Sequence, residues 1–347
     1  MPFNRTGVGF RFRNMIPLVL LFLFLGFQVH GSIGAEVSPA DGRAYVKALK
    51  DSIEATQEKV FTKLLAVVPG WDAINHERLH GSSIRWEGGQ GNSRVLVATF
   101  LDRPTYVQYY KSNLESHQES YTLQKSLWVT VVPELKNYFI RKSFYNRCPP
   151  SGKRVAQLLG LHPANPYDVL VEMWVDPKAL FRPSPDPEIT DHESEVATKI
   201  AQDEWTFPSD LNLFLKIDNS VLFKEKQWEQ GDGVPFKAWF VNRARTCYVN
   251  GPVLDENDPA TWGYPWTRLG YTYDWGNPKT PVGLSEFVLR IDPNKNKGEL
   301  TVKLEAAYDR ETPDWPTYFR CQPEVGSRDI FMEEDQDEPD LSPEDLN

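Results

Sequence analysis

The sequence predicts an α+β fold in which an antiparallel sheet packs against helices and carries long ordered loops. Short apolar segments bounded by turns rich in Gly, Asn and Pro are typical of antiparallel strands. Helical patterns stand between these segments without the regular alternation of a parallel α/β sheet. Aromatic residues make up 13% of the 347-residue chain, including 11 Trp, and they can fill a large core. We therefore predict one α+β globular domain over residues 71–328.

The first 35 residues are typical of a signal peptide. Three arginines precede an apolar run at residues 15–27, and small residues follow at Gly31, Ser32, Gly34 and Ala35. The run is shorter than the roughly 20 residues that span a bilayer. Cleavage after Gly34 or Gly31 fits the small residues, and an uncleaved anchor is the alternative. We therefore expect a periplasmic or extracellular protein with no integral membrane domain once the signal is removed.

A long amphipathic helix is predicted next, over residues 36–70. Ser38 followed by Pro39 is a typical helix start. Apolar residues then recur at helical spacing, at Val46, Leu49, Ile53, Val60, Leu64 and Val67. This spacing predicts one apolar face along the helix, which Pro69 and Gly70 would end.

The globular domain begins with a predicted hairpin. Residues 84–86 and 94–101 flank a Gly-rich turn, and both segments are predicted to be strands. Residues 127–132 predict another strand. Pro133 then opens a helix that is expected to reach about Phe144.

A short helix and a buried strand follow. Residues 151–159 predict a helix, because Gly160 is a typical residue just after a helix end. Residues 167–175 predict a strand that is apolar on both faces except at Glu172. The Pro-rich, acidic residues 176–203 predict a long ordered loop.

The last third of the domain alternates between helical, irregular and strand patterns. Residues 210–228 and 235–248 are predicted to be mainly helical, and residues 251–281 are irregular and very aromatic. Residues 284–291 and 300–307 flank a turn rich in Asn, Lys and Gly, which predicts a second hairpin.

Charge and cysteine content restrict the class of protein. The net charge is −10 at pH 7, and residues 329–347 hold nine acids and no base. This end of the chain is expected to be a disordered acidic tail. The acidic balance argues against nucleic-acid binding, which needs a basic surface. Export permits a disulfide among Cys148, Cys247 and Cys321, but the sequence leaves all three pairings open.

The first candidate site is a zinc motif. His76, Glu77 and His80 match H-E-x-x-H, in which two histidines on one helix face bind Zn²⁺ and the glutamate is the general base. Gly81 should end the helix directly after the second histidine. The alternative interpretation is a short surface helix with solvated polar residues.

The second candidate site is a calcium site in the Pro-rich loop. Carboxylates lie close together along the chain at Asp186, Glu188, Asp191, Glu193 and Glu195, and Ca²⁺ prefers oxygen ligands. The alternative is a rigid loop whose acids cap turns or pair with Arg182. No cofactor is the leading expectation, with Ca²⁺ or Zn²⁺ as the alternatives.

The third candidate site is an aromatic tract over residues 262–276. Exposed rings can stack on sugars or anchor a protein interface, and the candidate ligand-binding residues are Trp262, Tyr264, Trp266, Arg268, Tyr271, Tyr273 and Trp275. Asp274 and Glu286 are candidates for a paired-carboxylate catalytic site. The alternative is that the tract crosses the core.

Three segments resemble an uncharacterised group of exported bacterial proteins. They are WVTVVPEL, LFRPSPDPEITDHE and YPWTRLGYTYDWG, the last followed by GLSEFVL. The resemblance covers about residues 123–292. It implies no activity, but it does imply that the three segments meet in one structural unit.

The leading functional hypothesis is an exported, non-catalytic binding or interaction protein of the cell envelope or exterior. Its aromatic-rich surface would bind a glycan or a protein. The alternative is a secreted hydrolase that acts on glycans through Asp274 and Glu286, or on peptides through zinc. The sequence leaves open whether the protein is an enzyme.

Overall fold

The computed structural model describes residues 36–123, 125–142, 148–194, 203–206, 214–217, 240, 243–244, 247–251, 253–289 and 300–321. All of them belong to the second of two compact units, Gly34–Asn347. The predicted signal peptide and acidic tail lie outside the described residues. Within the described ranges, no helix combines the length and apolar character that crossing a membrane requires.

The fold is α+β, as predicted. The strands are β1 (Val95–Asp102), β2 (Tyr121–Leu123), β3 (Leu127–Val131), β4 (Tyr167–Val175), β5 (Leu180–Phe181), β6 (Asp203–Thr206), β7 (Phe214–Ile217), β8 (Tyr271–Tyr273), β9 (Val282–Ser285), β10 (Phe287–Leu289) and β11 (Leu300–Asp309). The main sheet is antiparallel throughout and has the order β2-β11-β4-β1-β3-β10-β5. β6 pairs with β7 and β8 pairs with β9 in two smaller sheets.

Helices cover both the ends and the faces of this sheet. They are α1 (Pro39–Ser52), α2 (Ala73–Arg78), α3 (Arg103–Tyr109), α4 (Lys111–Glu115), α5 (Glu134–Lys142), α6 (Gly152–Leu158) and α7 (Asp314–Tyr318). Three short 3₁₀ turns lie at Gln57–Lys59, Pro177–Ala179 and Pro259–Thr261.

β4 shows why the sheet is buried on both faces. Val171 and Met173 point into one core cluster, whereas Leu170 packs against the helices on the other face. This alternation follows from the two-residue period of a strand. The predicted strand at residues 167–175 is confirmed with its bounds.

Local signals correctly predicted several other elements. The Ser151 side chain accepts a hydrogen bond from the backbone of Arg154 and begins α6, and Gly160 follows its end with a left-handed φ of 70°. Trp86 pairs with Val95, as expected of the first hairpin. β3 and α5 lie on either side of Pro133, also as predicted.

The predicted long N-terminal helix is wrong in its length. α1 begins after Ser38, whose hydroxyl accepts from the backbone of Asp41, but it ends at Ser52. Leu64 and Val67 instead lie in an extended segment whose backbone donates to the carbonyls of His192 and Ile189. All four consecutive residues from 64 to 67 are buried. An apolar run buried on every side fits an extended segment better than a one-faced helix.

The predicted hairpin joining residues 284–291 to 300–307 is also wrong. β10 pairs with β3 and β5, whereas β11 pairs with β4 and β2. The two strands lie four positions apart in the sheet, about 19 Å at the usual strand spacing. A turn-like composition cannot distinguish a tight turn from a connection that crosses the sheet.

The helix predicted at residues 210–228 is wrong at Phe214–Ile217, which form a strand; its other residues lie outside the described ranges. In the segment predicted at 235–248, the described residues 240, 243, 244 and 247 are helical. A disulfide joins Cys148 to Cys321 across a sequence separation of 173 residues, and Cys247 is a buried free thiol.

Candidate functional site

The aromatic tract is part of the core and not an exposed surface. Trp266 is 0% exposed, and the rings of Trp262, Tyr271, Tyr273 and Trp275 are buried as well. All except Tyr271 pack in one cluster with Tyr45 of α1 and with Phe181 and Val288 of the main sheet. Tyr271 packs with Leu64 and Leu269. The prediction of an exposed aromatic binding surface is therefore wrong, because this much apolar area is more stable inside the protein.

The polar atoms of these rings are also satisfied inside the protein. The indole nitrogens of Trp262, Trp266 and Trp275 donate to backbone carbonyls at distances of 2.7, 2.9 and 3.0 Å. The hydroxyls of Tyr271 and Tyr273 donate to the Lys59 carbonyl and to the Asp51 carboxylate. Rings held in this way are fixed in the core and are not presented to a ligand.

Asp274, a candidate catalytic carboxylate, is held in an ion pair with Arg154. Arg154 donates to both of its carboxylate oxygens, at 2.8 and 2.6 Å. Its Oδ1 atom also accepts from the backbone of Gly276. A carboxylate fixed by a bidentate guanidinium has a structural role that explains its complete burial.

The zinc motif lacks the helical geometry that it requires. α2 ends at Arg78, and His80 adopts a left-handed φ of 50°, so His76 and His80 are not on successive turns of one helix. Arg78 forms an ion pair with the buried Glu134. The motif therefore corresponds to the alternative interpretation, a short surface helix, with Arg78 anchoring it to α5.

The acidic loop does bring three carboxylates together. Asp186, Glu188 and Asp191 place ligand atoms within 4.8 Å of one another, and Glu193 is not part of this group. The guanidinium of Arg182 is 0% exposed and lies 3.7 Å from Asp191. The chain thus supplies its own cation here, as expected of the alternative in which the acids pair with Arg182. These three carboxylates remain the oxygen ligands that a cation would use.

The three segments named from the resemblance do meet. The Trp128 ring lies 5.4 Å from Tyr264 and 6.1 Å from Trp266. The Trp266 indole donates to the Pro183 carbonyl at 2.9 Å. One region of the fold therefore brings together β3, the Pro-rich loop and the aromatic tract. It lies on the face of the main sheet that carries Val288.

Glu286 lies at the centre of this region. It is the single residue between β9, which pairs with β8, and β10, which pairs with β3 and β5. The preceding Ser285 is anchored by Glu134, which accepts from its backbone nitrogen at 3.1 Å and from its hydroxyl at 3.0 Å. The backbone of Glu286 donates to the Gly270 carbonyl at 2.9 Å. These contacts fix the position from which the Glu286 side chain extends.

The carboxyl group of Glu286 is only partly satisfied. Its Oε1 atom lies 2.6 Å from the Tyr264 hydroxyl, and its side chain is 2% exposed. Its buried Oε2 atom has no hydrogen-bond partner among the described residues. An unpaired buried polar atom costs about 1–3 kcal/mol, so this arrangement calls for an explanation.

Two arginines of the same region also have unpaired buried atoms. The Arg243 guanidinium lies 5.3 Å from the centre of the half-buried Trp128 ring. Arg268 is buried in a left-handed conformation with φ of 59°, and it donates to the Ile53 carbonyl. The Nε atoms of both arginines are buried without a partner in the described ranges. We call this group the Glu286 cluster: Trp128, Arg243, Cys247, Tyr264, Arg268 and Glu286.

Burial and neighbouring charges act on the titratable groups of this cluster. Burial raises the pKa of Glu286 to about 8, while the Tyr264 hydrogen bond and the charge of Arg243 lower it. Burial also raises the pKa of the Cys247 thiol to about 11, and the charges of Arg243 and Arg268 oppose that rise. At neutral pH the cluster therefore contains two cations and a largely protonated acid.

A second buried carboxyl group offers a comparison. Burial raises the pKa of Glu172 on β4, and the charge of Lys136 lowers it. The Tyr308 hydroxyl lies 3.4 Å from its Oε2 atom. The surroundings of Glu172 include a second acid, Glu305, besides the cations Lys136 and Arg85, and its buried Oε1 atom also lacks a partner among the described residues.

Sequence reasoning identified only half of the Glu286 cluster. Tyr264, Arg268 and Glu286 were candidates for other reasons, but Arg243, Cys247 and Trp128 were not. Trp128 reaches the cluster because Val288 pairs with it across β10 and β3. In the sequence, only the resemblance of the segment WVTVVPEL to the exported bacterial proteins pointed to Trp128.

Comparison with known proteins adds no family. No protein-family model, curated protein or solved structure matches this chain. The resemblance to exported bacterial proteins stays a prediction. Function must therefore be inferred from the geometry of the chain's own residues.

Proposed function

We propose that this protein is an exported, non-catalytic binding protein that holds its ligand at the Glu286 cluster. One observation carries the proposal: buried polar atoms of Glu286 and Arg243 lack partners among the described residues, and both Arg243 and Tyr264, which is hydrogen-bonded to Glu286, lie against the Trp128 ring. Native proteins pair nearly all such atoms. A bound ligand would supply the missing partners.

The aromatic surroundings suit this role. Trp128, Tyr264 and Arg243 are half-buried, so they border the fully buried Glu286 and Arg268. Ligand sites commonly combine such ring surfaces with a few well-placed polar groups. The ligand would thus be recognised by a site within the aromatic region, in place of a flat exposed patch.

Export is supported by the signal-like first 35 residues and by the cysteines. The Cys148–Cys321 disulfide is a bond that persists in oxidising compartments. The acidic composition argues against a nucleic-acid partner. We therefore place the ligand among the molecules of the cell envelope or the exterior, where a glycan or a protein terminus could present it.

A secreted hydrolase is the second candidate. The raised pKa of Glu286 favours it, since a protonated buried carboxyl can act as a general acid. A glycosidase needs a second carboxylate free to act, and Asp274 is held by Arg154. Binding is therefore the better supported role.

The experiment is native mass spectrometry of the protein expressed with its own first 35 residues and purified without denaturation. We expect a bound small molecule that is released on unfolding. Glu286→Leu should abolish its retention. Glu172→Leu is the matched control, because it also replaces one buried carboxyl by an apolar side chain, and it should retain the ligand.

The proposal fails if three results coincide: no co-purified mass, no hit on a glycan array, and no stabilising compound in a library of neutral, cationic and anionic molecules. Sequencing the amino terminus of the secreted protein tests export separately. Retention of the chain inside the cell would contradict that part.

A further inference from the structure

We propose that Trp71 and the Gly-rich turn beside it form a second binding surface, which takes the face of a neutral sugar ring. We call it the Trp71 surface, and its members are all exposed: Pro69, Gly70, Trp71, His76, Gln90 and Asn92. None of these residues belongs to the Glu286 cluster, so the inference goes beyond the proposed function.

Trp71 carries the apolar part of this surface. Its side chain is 77% exposed, whereas the rings of the aromatic tract are buried. Its ring lies 6.2 Å from the His76 ring, centre to centre. Keeping an apolar ring in water is unfavourable, so a ligand that covers the indole would be stabilised by the area that it buries.

Two loops hold the Trp71 surface in a fixed shape. The Gly70 backbone donates to Oε1 of Gln90 at 2.7 Å, which joins the loop that carries Trp71 to the turn. Gly91 has a left-handed φ of 78°, and a Cβ there would lie 2.9 Å from Cβ of Pro69. The turn therefore packs directly on the loop. A surface that is ordered before the ligand arrives loses less entropy on binding.

Glycines leave room for a ligand next to the ring. A Cβ added to Gly70 would meet no atom within 4 Å outside its two chain neighbours, and the same holds at Gly89 in the turn. Both positions are exposed. The space beside Trp71 and over the turn is therefore open to solvent and accessible to a sugar ring.

Amide groups supply hydrogen bonds at the edge of this space. Because Oε1 of Gln90 accepts from the Gly70 backbone, the orientation of the amide is fixed and its Nε2 group keeps two hydrogens to donate. Asn92 adds a second exposed amide. Amides donate and accept at once, as the hydroxyl groups of a sugar do.

The charges around the Trp71 surface favour a neutral ligand. Each acid that is close to it in the chain has a cationic or basic partner. The pairs are Asp72–His192, Glu77–Lys63 and Glu87–Arg94, with N–O distances of 3.2, 2.7 and 2.6 Å. Paired charges leave little net field to attract an ion.

The available area favours a sugar over a protein. An indole ring buries at most about 250 Å², whereas a stable protein interface needs about 800 Å² from each partner. Val107 and Tyr109 are also exposed, but they lie on α3, at the other end of β1 from the turn, roughly 26 Å away. One ring matches the apolar C–H face of one pyranose, because the polarised hydrogens meet the negative face of the indole.

The test is a titration of the purified protein with three neutral oligosaccharides: chitohexaose, cellohexaose and maltohexaose. Proton–nitrogen NMR follows the indole N–H signal of Trp71, which is identified by its absence in Trp71→Phe. We expect this signal to shift with at least one sugar, at a dissociation constant of about 1 mM, since only one or two sugar rings make contact.

Variants locate the binding site, and saturation-transfer NMR on the sugar compares them without using the Trp71 signal. Trp71→Ala should weaken binding about tenfold or more, and Trp71→Phe, which keeps a ring, should weaken it less. Gln90→Ala should weaken it about threefold to tenfold. Tyr109→Ala is the matched control, because it also removes an exposed aromatic ring, and it should leave binding unchanged. Circular dichroism checks that each variant is folded.

Three results would overturn the inference. The first is that none of the three sugars shifts the Trp71 signal. The second is sugar binding that Trp71→Ala keeps and Glu286→Leu loses, which would belong to the Glu286 cluster and would support the proposed function alone. The third is Trp71-dependent binding to phosphatidylglycerol vesicles without binding of any sugar, which would make Trp71 a contact to a membrane surface.

Discussion

The Tyr264 hydroxyl lies 2.6 Å from Oε1 of Glu286. The same hydroxyl lies 3.2 Å from the Leu159 carbonyl oxygen, yet it has a single hydrogen to donate. When Glu286 is protonated, it can donate to Tyr264, and Tyr264 can donate to Leu159. The two residues therefore form a chain of hydrogen bonds that is complete when Glu286 is neutral; burial, and not this hydrogen bond, raises the pKa of Glu286.

The pH dependence of stability should reveal Glu286. Its pKa is about 8 in the folded protein against an ordinary 4.5, so the folded state binds the extra proton. Its stabilising contribution is present in full below the ordinary pKa and is lost as the pH rises through 8. Relative to Glu286→Gln, the wild-type protein should lose roughly 3–4 kcal/mol of unfolding free energy between pH 5 and pH 8.

Urea unfolding at a series of pH values measures this difference, because contributions from all other groups cancel between the two proteins. Parallel pH curves for the wild type and Glu286→Gln would refute the raised pKa.

Arg154→Ala should destabilise the protein strongly. The substitution leaves the fully buried Asp274 carboxylate without its bidentate partner. We expect a loss of roughly 2–4 kcal/mol, somewhat less than for a completely buried pair, because Arg154 is partly exposed. Lys153→Ala removes the neighbouring exposed pair with Asp41 and should cost less than about 1 kcal/mol. Equal midpoints of chemical denaturation for the two variants would contradict the structural role of Asp274.

Gly263→Ala should be among the most damaging changes to an aromatic-tract glycine. An added Cβ would lie 2.0 Å from the Cys247 carbonyl oxygen and 2.4 Å from the Tyr248 carbonyl carbon. Both are backbone atoms, so the two backbone segments must move apart. We expect this to lower the free energy of unfolding by about 3 kcal/mol or more. At Gly89 the same substitution meets no atom within 4 Å and serves as the control. A thermal melt of Gly263→Ala that matches Gly89→Ala would show that the two segments are not in contact.

Cysteine chemistry should distinguish the three cysteines. The unfolded, unreduced protein is expected to expose one reactive thiol, from Cys247, and reduction should expose all three. Cys148→Ser should cost about 2–5 kcal/mol, because the bond closes a long loop in the unfolded chain. Cys247→Ala should cost only about 1 kcal/mol. Detection of three thiols before reduction would rule out the Cys148–Cys321 bond.

The elements predicted correctly are those specified by neighbouring residues. Seven of the nine residues of β4 are apolar or aromatic, with only Asp168 and Glu172 charged, which leaves few options other than a buried strand. Ser151 and Gly160 act within one turn of the ends of α6. In each case the interactions that define the element lie within a few residues of it along the chain.

The predictions that were wrong depended on distant partners. Leu64 and Val67 donate to the carbonyls of His192 and Ile189, and Leu65 donates to the Ser285 hydroxyl. No local pattern shows these distant partners. The Glu286 cluster was only half predicted for the same reason: Trp128 approaches it through the pairing of β3 with β10. Burial of the aromatic tract likewise depends on α1, which is more than 200 residues earlier in the chain.

The position of β11 has a consequence for how the molecule acquires its structure during synthesis. β11 lies between β2 and β4, although both of those strands precede it by more than 120 residues. Until residues 300–309 have left the ribosome, β4 has one edge unpaired and β2 has no neighbour in the sheet. Open strand edges promote aggregation, and pairings between distant residues form slowly. A nascent chain that stops before residue 300 would therefore depend on chaperones, and the sheet becomes complete only after β11 has been made.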